Sequence, residues 1–126
     1  MIQNILNFYL EKDICDRTFT FSIRIVKLCQ FLDDKPGVAR TLAQQLLRSG
    51  TSIGANVEEA QAAQSKADFI GKMMIALKES RETRYWLRLL VASEIVPQEK
   101  ISQLQTEAEE LTRILGAIVI STKDSN

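Results

Sequence analysis

Two long stretches of helical periodicity, residues 36–63 and 66–93, are separated by almost no chain, and that brevity constrains the fold more than any other feature. Ser65-Lys66-Ala67-Asp68 reads as a variant of the capping box, with Asp in place of the usual Glu, so a new helix opens at about Lys66. A link this short forces the two helices to lie antiparallel, side by side, for about 40 Å. Each must then hide an apolar edge against something else.

The remaining segments supply that partner. A first helix is predicted over 13–32, capped by Asp13 or Asp16, with Phe21, Ile25, Leu28 and Leu32 on one face. Residues 1–12 are predicted to be a short leader. Asp33 to Gly37 reads as a loop in which Pro36 takes the first helical position and holds Lys35 extended. Pro97 opens a fourth helix over 97–121, where Ile101, Leu104, Ala108, Leu111, Leu115 and Ile118 alternate spacings of three and four. Strand signals, internal repeats and low-complexity linkers are absent from the sequence. The predicted fold is all-α: one domain spanning 1–126, an antiparallel up-down-up-down four-helix bundle.

Composition narrows the chemistry. The 126 residues are 45% hydrophobic and 25% charged, with zero formal net charge, which suits one ordinary domain. There is no dedicated polyanion-binding tail. The charge is uneven all the same: Lys66 to Ser93 carries six basic and three acidic residues, Glu94 to Asn126 three basic and six acidic, so the third and fourth helices are predicted to be electrostatically complementary. Apolar runs are too short to span a bilayer, and the N-terminal residues lack a secretory pattern, which together predict a cytoplasmic protein with no membrane partner. Cys15 and Cys29 on one helix stand about 21 Å apart, beyond disulfide reach, so both are predicted to be reduced, with Cys29 filling the core.

The second helix is unusual. Leu42, Leu46, Ile53, Val57 and Ala60 form one apolar seam, but beside it Gln45, Arg48, Ser49, Ser52, Asn56 and Glu59 form a continuous polar stripe. Gly50 and Gly54 each cost a soluble helix about 1 kcal/mol relative to Ala, which predicts close packing of another backbone there. The third helix carries two apolar stripes, Phe69, Met73, Leu87 and Leu90 on one and Ile75, Trp86 and Leu89 on the other, and the second also holds Glu79 and Glu82. Carboxylates placed so are partly buried and need partners. Arg48, helped by Ser52 or Asn56, is the predicted partner, within the protomer or between protomers.

The order Arg48-Ser-Gly-Thr-Ser52-Ile-Gly-Ala-Asn56-Val-Glu-Glu59, then Asp68-Phe69, then Ala76-Leu-Lys-Glu-Ser-Arg-Glu82, resembles the four-helix bundle family named for proteins encoded in 23S ribosomal RNA intervening sequences. The resemblance covers nearly the whole chain. It implies a bundle that assembles into a ring, typically a homopentamer, with Arg48, Ser52, Asn56, Glu59, Phe69 and Glu82 as structural or assembly positions. Accessory proteins of diversity-generating retroelements are similar in fold and bind nucleic acid through strongly basic surfaces; this chain departs from them in having no charge excess.

With no histidine, the chain lacks the usual general base and the Glu-x-x-His ligands of bundle di-iron sites. Glu59, Glu79 and Glu82 could supply oxygen ligands to a metal, but Arg48 competes for the same carboxylates. The leading expectation is a non-enzymatic homo-oligomeric scaffold, without metal or cofactor, presenting repeated surfaces to an unknown protein partner. The alternative is a nucleic-acid-binding accessory protein that gathers Lys66, Lys72, Lys78, Arg81, Arg84 and Arg88 of the third helix onto phosphates.

Overall fold

A computed structural model describes residues 2–34 and 36–125, and those residues contain four helices: α1 (Ile2–Asp33), α2 (Val38–Gln61), α3 (Lys66–Ala92) and α4 (Gln98–Asp124). Each helix packs on its neighbours in chain order, and α4 closes the square on α1. Contacts fix the directions. Ile25 meets Gly50 while Thr18 meets Gly54, Arg48 meets Glu79 while Lys72 meets Glu59, Ser80 meets Thr112 while Lys66 meets Ser125, and Arg17 meets Glu107 while Arg24 meets Gln103. Every neighbouring pair is therefore antiparallel, as expected of an up-down-up-down bundle.

The core follows the periodicity. Phe21, Ile25, Leu28 and Leu32 of α1 are buried, as are Leu46, Ile53, Val57 and Ala60 of α2, Met73, Leu87 and Leu90 of α3, and all six positions of the α4 seam. Ile14, Thr18 and Cys29 extend the α1 face beyond the four positions expected. Neither Cys15 nor Cys29 is in a disulfide, and burial pushes the Cys29 thiol up to about 11, so it stays protonated and donates weakly to the Ala43 carbonyl at 3.4 Å. Cys29 is core filler.

The helix boundaries differ from expectation at the ends of α2 and α4, which fall at Gln61 and Asp124 rather than 63 and 121, and more consequentially at the starts of α1 and α2. The first helix begins at Ile2, so residues 2–12 extend α1 rather than forming a leader, and Asp13 and Asp16 sit exposed in mid-helix instead of capping it. No proline or glycine interrupts the chain from Ile2 to Asp33, and once a helix is nucleated, propagation needs nothing more than tolerable residues. At α2 the helix starts at Val38, and Gly37 rather than Pro36 makes the entry, with φ at 96°, a conformation that only glycine adopts cheaply. The extended geometry expected at Lys35 lies outside the described residues. The α3 start is as expected: the Ser65 hydroxyl accepts from the Asp68 amide at 3.0 Å, and the Asp68 carboxylate accepts from the Gln64 amide at 3.2 Å. None of the described helices is long and apolar enough to cross a membrane.

Candidate functional site

The polar stripe of α2 faces α3 within the protomer. Arg48 reaches across the α2–α3 seam, donating to Glu79 Oε2 at 3.0 Å through one terminal nitrogen and pairing with Glu82 through the other. The Glu82 carboxylate also accepts from the indole N–H of Trp86, one turn further along α3, at 3.0 Å. Glu79 is nearly buried, whereas the Arg48 side chain is 49% exposed, so one end of the bridge is dry and the other wet. Deeper in the seam, the Thr83 hydroxyl donates to the Glu79 carbonyl at 2.8 Å and lies 3.0 Å from the buried Ser49 hydroxyl. A hydroxyl pair of the same kind, Ser80 with Thr112 at 3.0 Å, ties α3 to α4. Among the described residues, every fully buried polar side-chain atom has a partner.

Such a network fixes register more surely than it adds stability, because desolvating the ions offsets much of their attraction. In a double-mutant cycle, Arg48→Ala and Glu79→Ala should couple by about 1 kcal/mol, and Arg48→Ala with Glu59→Ala by roughly zero. Urea denaturation of the four proteins in each cycle reads this out. Equal coupling in both would mean that the bridge has no structural role.

Ser52 and Asn56 do not assist Arg48. The Asn56 amide donates back to Ser52, to its carbonyl at 2.9 Å and its hydroxyl at 3.0 Å, so the pair satisfies itself one turn away. Glu59 is exposed and meets Lys72 at 3.8 Å, which separates it from Glu79 and Glu82. The three glutamates therefore do not converge, and no metal-ligating cluster occurs among the described residues. The glycines point the other way. A Cβ at Gly54 would stand 3.2 Å from the Thr18 carbonyl oxygen, and one at Gly50 would stand 2.9 Å from Ile25 Cγ2, so both serve the α1–α2 contact. The stripe and the glycines are two surfaces, not one.

The expected complementarity of α3 and α4 is not realised as ion pairs between them. Glu107 and Glu110 of α4 turn instead to Arg17 of α1, which forks onto Glu107 at 2.7 and 3.2 Å and reaches Glu110 at 2.7 Å. Net segment charge could not reveal this, because Glu107 and Glu110 share a helix face that Glu109 does not. The Arg17 hydrogen bonds hold the Glu107 carboxyl below its ordinary range, and Glu107 raises Arg17 in return. A depressed carboxylate adds stability above its unfolded value, about 4.3, and loses it as pH falls through the lower folded value. The stability gap between the native protein and Glu107→Gln should thus be constant above about pH 5 and close below about pH 4 in pH-resolved urea melts.

The six basic positions of α3 also part company. Lys66 bonds the Ser125 carbonyl, Lys72 meets Glu59, and Lys78 stands exposed without a bonded partner among the described residues. Arg81, Arg84 and Arg88 instead line one cleft with Tyr85, Gln105 and Glu109. On the opposite side of the bundle, the outer α1–α2 face is apolar, which the sequence reading did not anticipate. Phe19, Ile23 and Val26 are 62%, 43% and 38% exposed beside Leu47, and their spacing of four then three was the available signal.

These features define an antiparallel four-helix bundle whose α2–α3 polar lock is internal and whose outer α1–α2 face is left greasy. The chain belongs to the 23S rRNA-intervening sequence protein family, whose model matches residues 11–117. It is similar to a crystal structure from Bacteroides thetaiotaomicron, a protein with unknown function from the S23 ribosomal protein family. The identity is 42%, the TM-score 0.82, and the match covers 88% of this chain and 98% of that one. No curated protein matches the chain.

Proposed function

We propose that this protein is a non-enzymatic building block that assembles with copies of itself, five to a ring as the family resemblance implies, and offers a repeated surface to another protein in the cytoplasm. The observation that carries the reading is the outer α1–α2 face. Phe19, Ile23, Val26 and Leu47 stand in water there although the core beneath is complete. Hollows of about 260 and 310 Å³ flank the strip, lined mainly by apolar atoms. Monomers rarely leave such a patch uncovered, and knobs at spacings of four and three suit a helix laid alongside.

A ring requires a second, different patch on each copy, because head-to-tail contacts close only when two unlike surfaces meet. Met74 of α3, 47% exposed, and Ile120 of α4, 63% exposed, offer apolar material across the bundle. Arg48, Glu59, Glu79 and Glu82 then act in assembly indirectly, by holding α2 and α3 in the register that shapes those faces, while Ser52 and Asn56, bonded to each other, act within α2 alone. Light scattering during gel filtration tests the proposal. A particle five times the 14.2 kDa protomer is expected, and a stable monomer at micromolar concentration would overturn it.

A further inference from the structure

The cleft between α3 and α4 contains cations that nothing else in the fold uses. Arg81, Arg84 and Arg88 follow one another at spacings of three and four, so they share one helix face over about 10 Å. All three are exposed, and among the described residues no carboxylate comes within 4 Å of their guanidinium nitrogens. Arg17, Arg40 and Arg48 each hold a carboxylate, Arg24 bonds the Gln103 amide oxygen and Arg113 stands exposed, so what sets Arg81, Arg84 and Arg88 apart is that three uncompensated guanidinium groups share one cleft. Like charges three and four residues apart on a helix repel by a few tenths of a kcal/mol per pair, so an anion seated among them relieves a standing cost.

The rest of the lining is suited to a particular kind of anion. The cleft encloses about 290 Å³, at the bottom of the range for small-molecule sites, and is walled by Tyr85 from α3 and by Gln105 and Glu109 from α4. Guanidinium forks match the oxygens of phosphate two at a time, which ammonium groups cannot do. The Tyr85 ring packs edge-on against Trp86 at 5.1 Å, is 50% exposed, and presents its remaining surface beside the arginines. Glu109 opposes a ligand of high negative charge and accepts hydrogen bonds from a hydroxyl or amine.

We infer that this cleft binds a compact phosphorylated small molecule, with a phosphate or diphosphate group on Arg81, Arg84 and Arg88 and the attached moiety between Tyr85 and Glu109. The site is independent of self-assembly. Inorganic pyrophosphate and adenosine diphosphate serve as probes, titrated into the full-length protein at fixed salt while the fluorescence of Trp86, the single tryptophan, is followed. Saturable binding is expected, weakened at least tenfold by Arg84→Ala or Arg88→Ala, tightened severalfold by Glu109→Gln, and unchanged by Lys66→Ala or Phe19→Asp. All five positions are exposed, and circular dichroism checks each variant for folding.

Three results would overturn the inference. The first is no saturation at millimolar probe. The second is equal weakening by Lys66→Ala, which would indicate diffuse surface attraction. The third is an oligonucleotide that binds a hundredfold tighter than either probe and depends on Lys66, Lys72 and Lys78 as well, which would make the surface a nucleic-acid track rather than a compact site.

Discussion

Gly50→Val should destabilise the protein by about 2–3 kcal/mol, against the direction that helix propensity alone predicts. Valine is a better helix former than glycine, and alanine is better than glycine by about 1 kcal/mol. The new Cβ, however, would stand 2.9 Å from Ile25 Cγ2 and 3.0 Å from Cγ1, inside the closest approach carbon atoms tolerate. Ile25 is fully buried, so it has no open space into which to turn. Gly50→Ala meets the same atoms and should lose about 1 kcal/mol after its propensity gain. Gly71 provides the control: it lies exposed in α3, a Cβ added there would have nothing within 4 Å, and Gly71→Ala should gain about 0.5–1 kcal/mol. Urea midpoints for the three variants decide the matter. Stabilisation of both Gly50 variants would show that α1 and α2 do not approach there.

Phe19→Asp should convert the assembled protein to protomers, lowering the scattering mass fivefold, while leaving the helical circular dichroism intact and giving a urea midpoint that is lower than the native protein's and no longer depends on protein concentration. Phe19 contributes little to its own protomer, since 62% of it faces water. Its cost falls entirely on whatever covers it. A carboxylate forced into an apolar contact loses its hydration without gaining a partner, a penalty of several kcal/mol for each interface of a ring. Ile23→Asp, one turn along the same strip, should do the same. Val38→Asp, at 69% exposure in the α1–α2 turn region, should leave the mass unchanged. Retention of the full mass by both Phe19→Asp and Ile23→Asp would place the interface elsewhere.

The parts of this fold legible in the sequence are those in which one periodic signal acts alone. The α4 seam is the clearest: six apolar positions at strict three-and-four spacing, all buried. Arg48 was identifiable because two carboxylates set among apolar residues demand a cation, and only one lay at the right height on α2. What the sequence hides is direction. Glycines four apart signal close approach but do not name the helix that approaches; here it is α1, through Thr18 and Ile25. Ser52 and Asn56 look like helpers of Arg48 because they share its stripe, yet a side chain that can bond its own preceding turn does so first. The same blindness affected charge. Six acids in the last segment promised pairing with α3, but helical rotation carries Glu107 and Glu110 to α1 and leaves Arg81, Arg84 and Arg88 unpaired. The α1 start had a signal in the sequence, Ile2, Ile5, Leu6 and Tyr9 at i, i+3, i+4 and i+7, which the N-cap chemistry offered by Asp13 and Asp16 overshadowed.

The proposed assembly divides the surfaces of α2: its polar stripe bonds inside the protomer, and the greasy α1–α2 face would be covered by a second copy. Solvent paramagnetic relaxation of methyl groups at micromolar and higher protein concentration tests that division directly. The Ile23, Val26 and Leu47 methyls should be shielded from the dissolved probe in the native protein and become exposed in Phe19→Asp, while the Val38 methyls broaden equally in both. Broadening of Ile23, Val26 and Leu47 to the same degree as Val38 in the native protein, at every concentration, would contradict it.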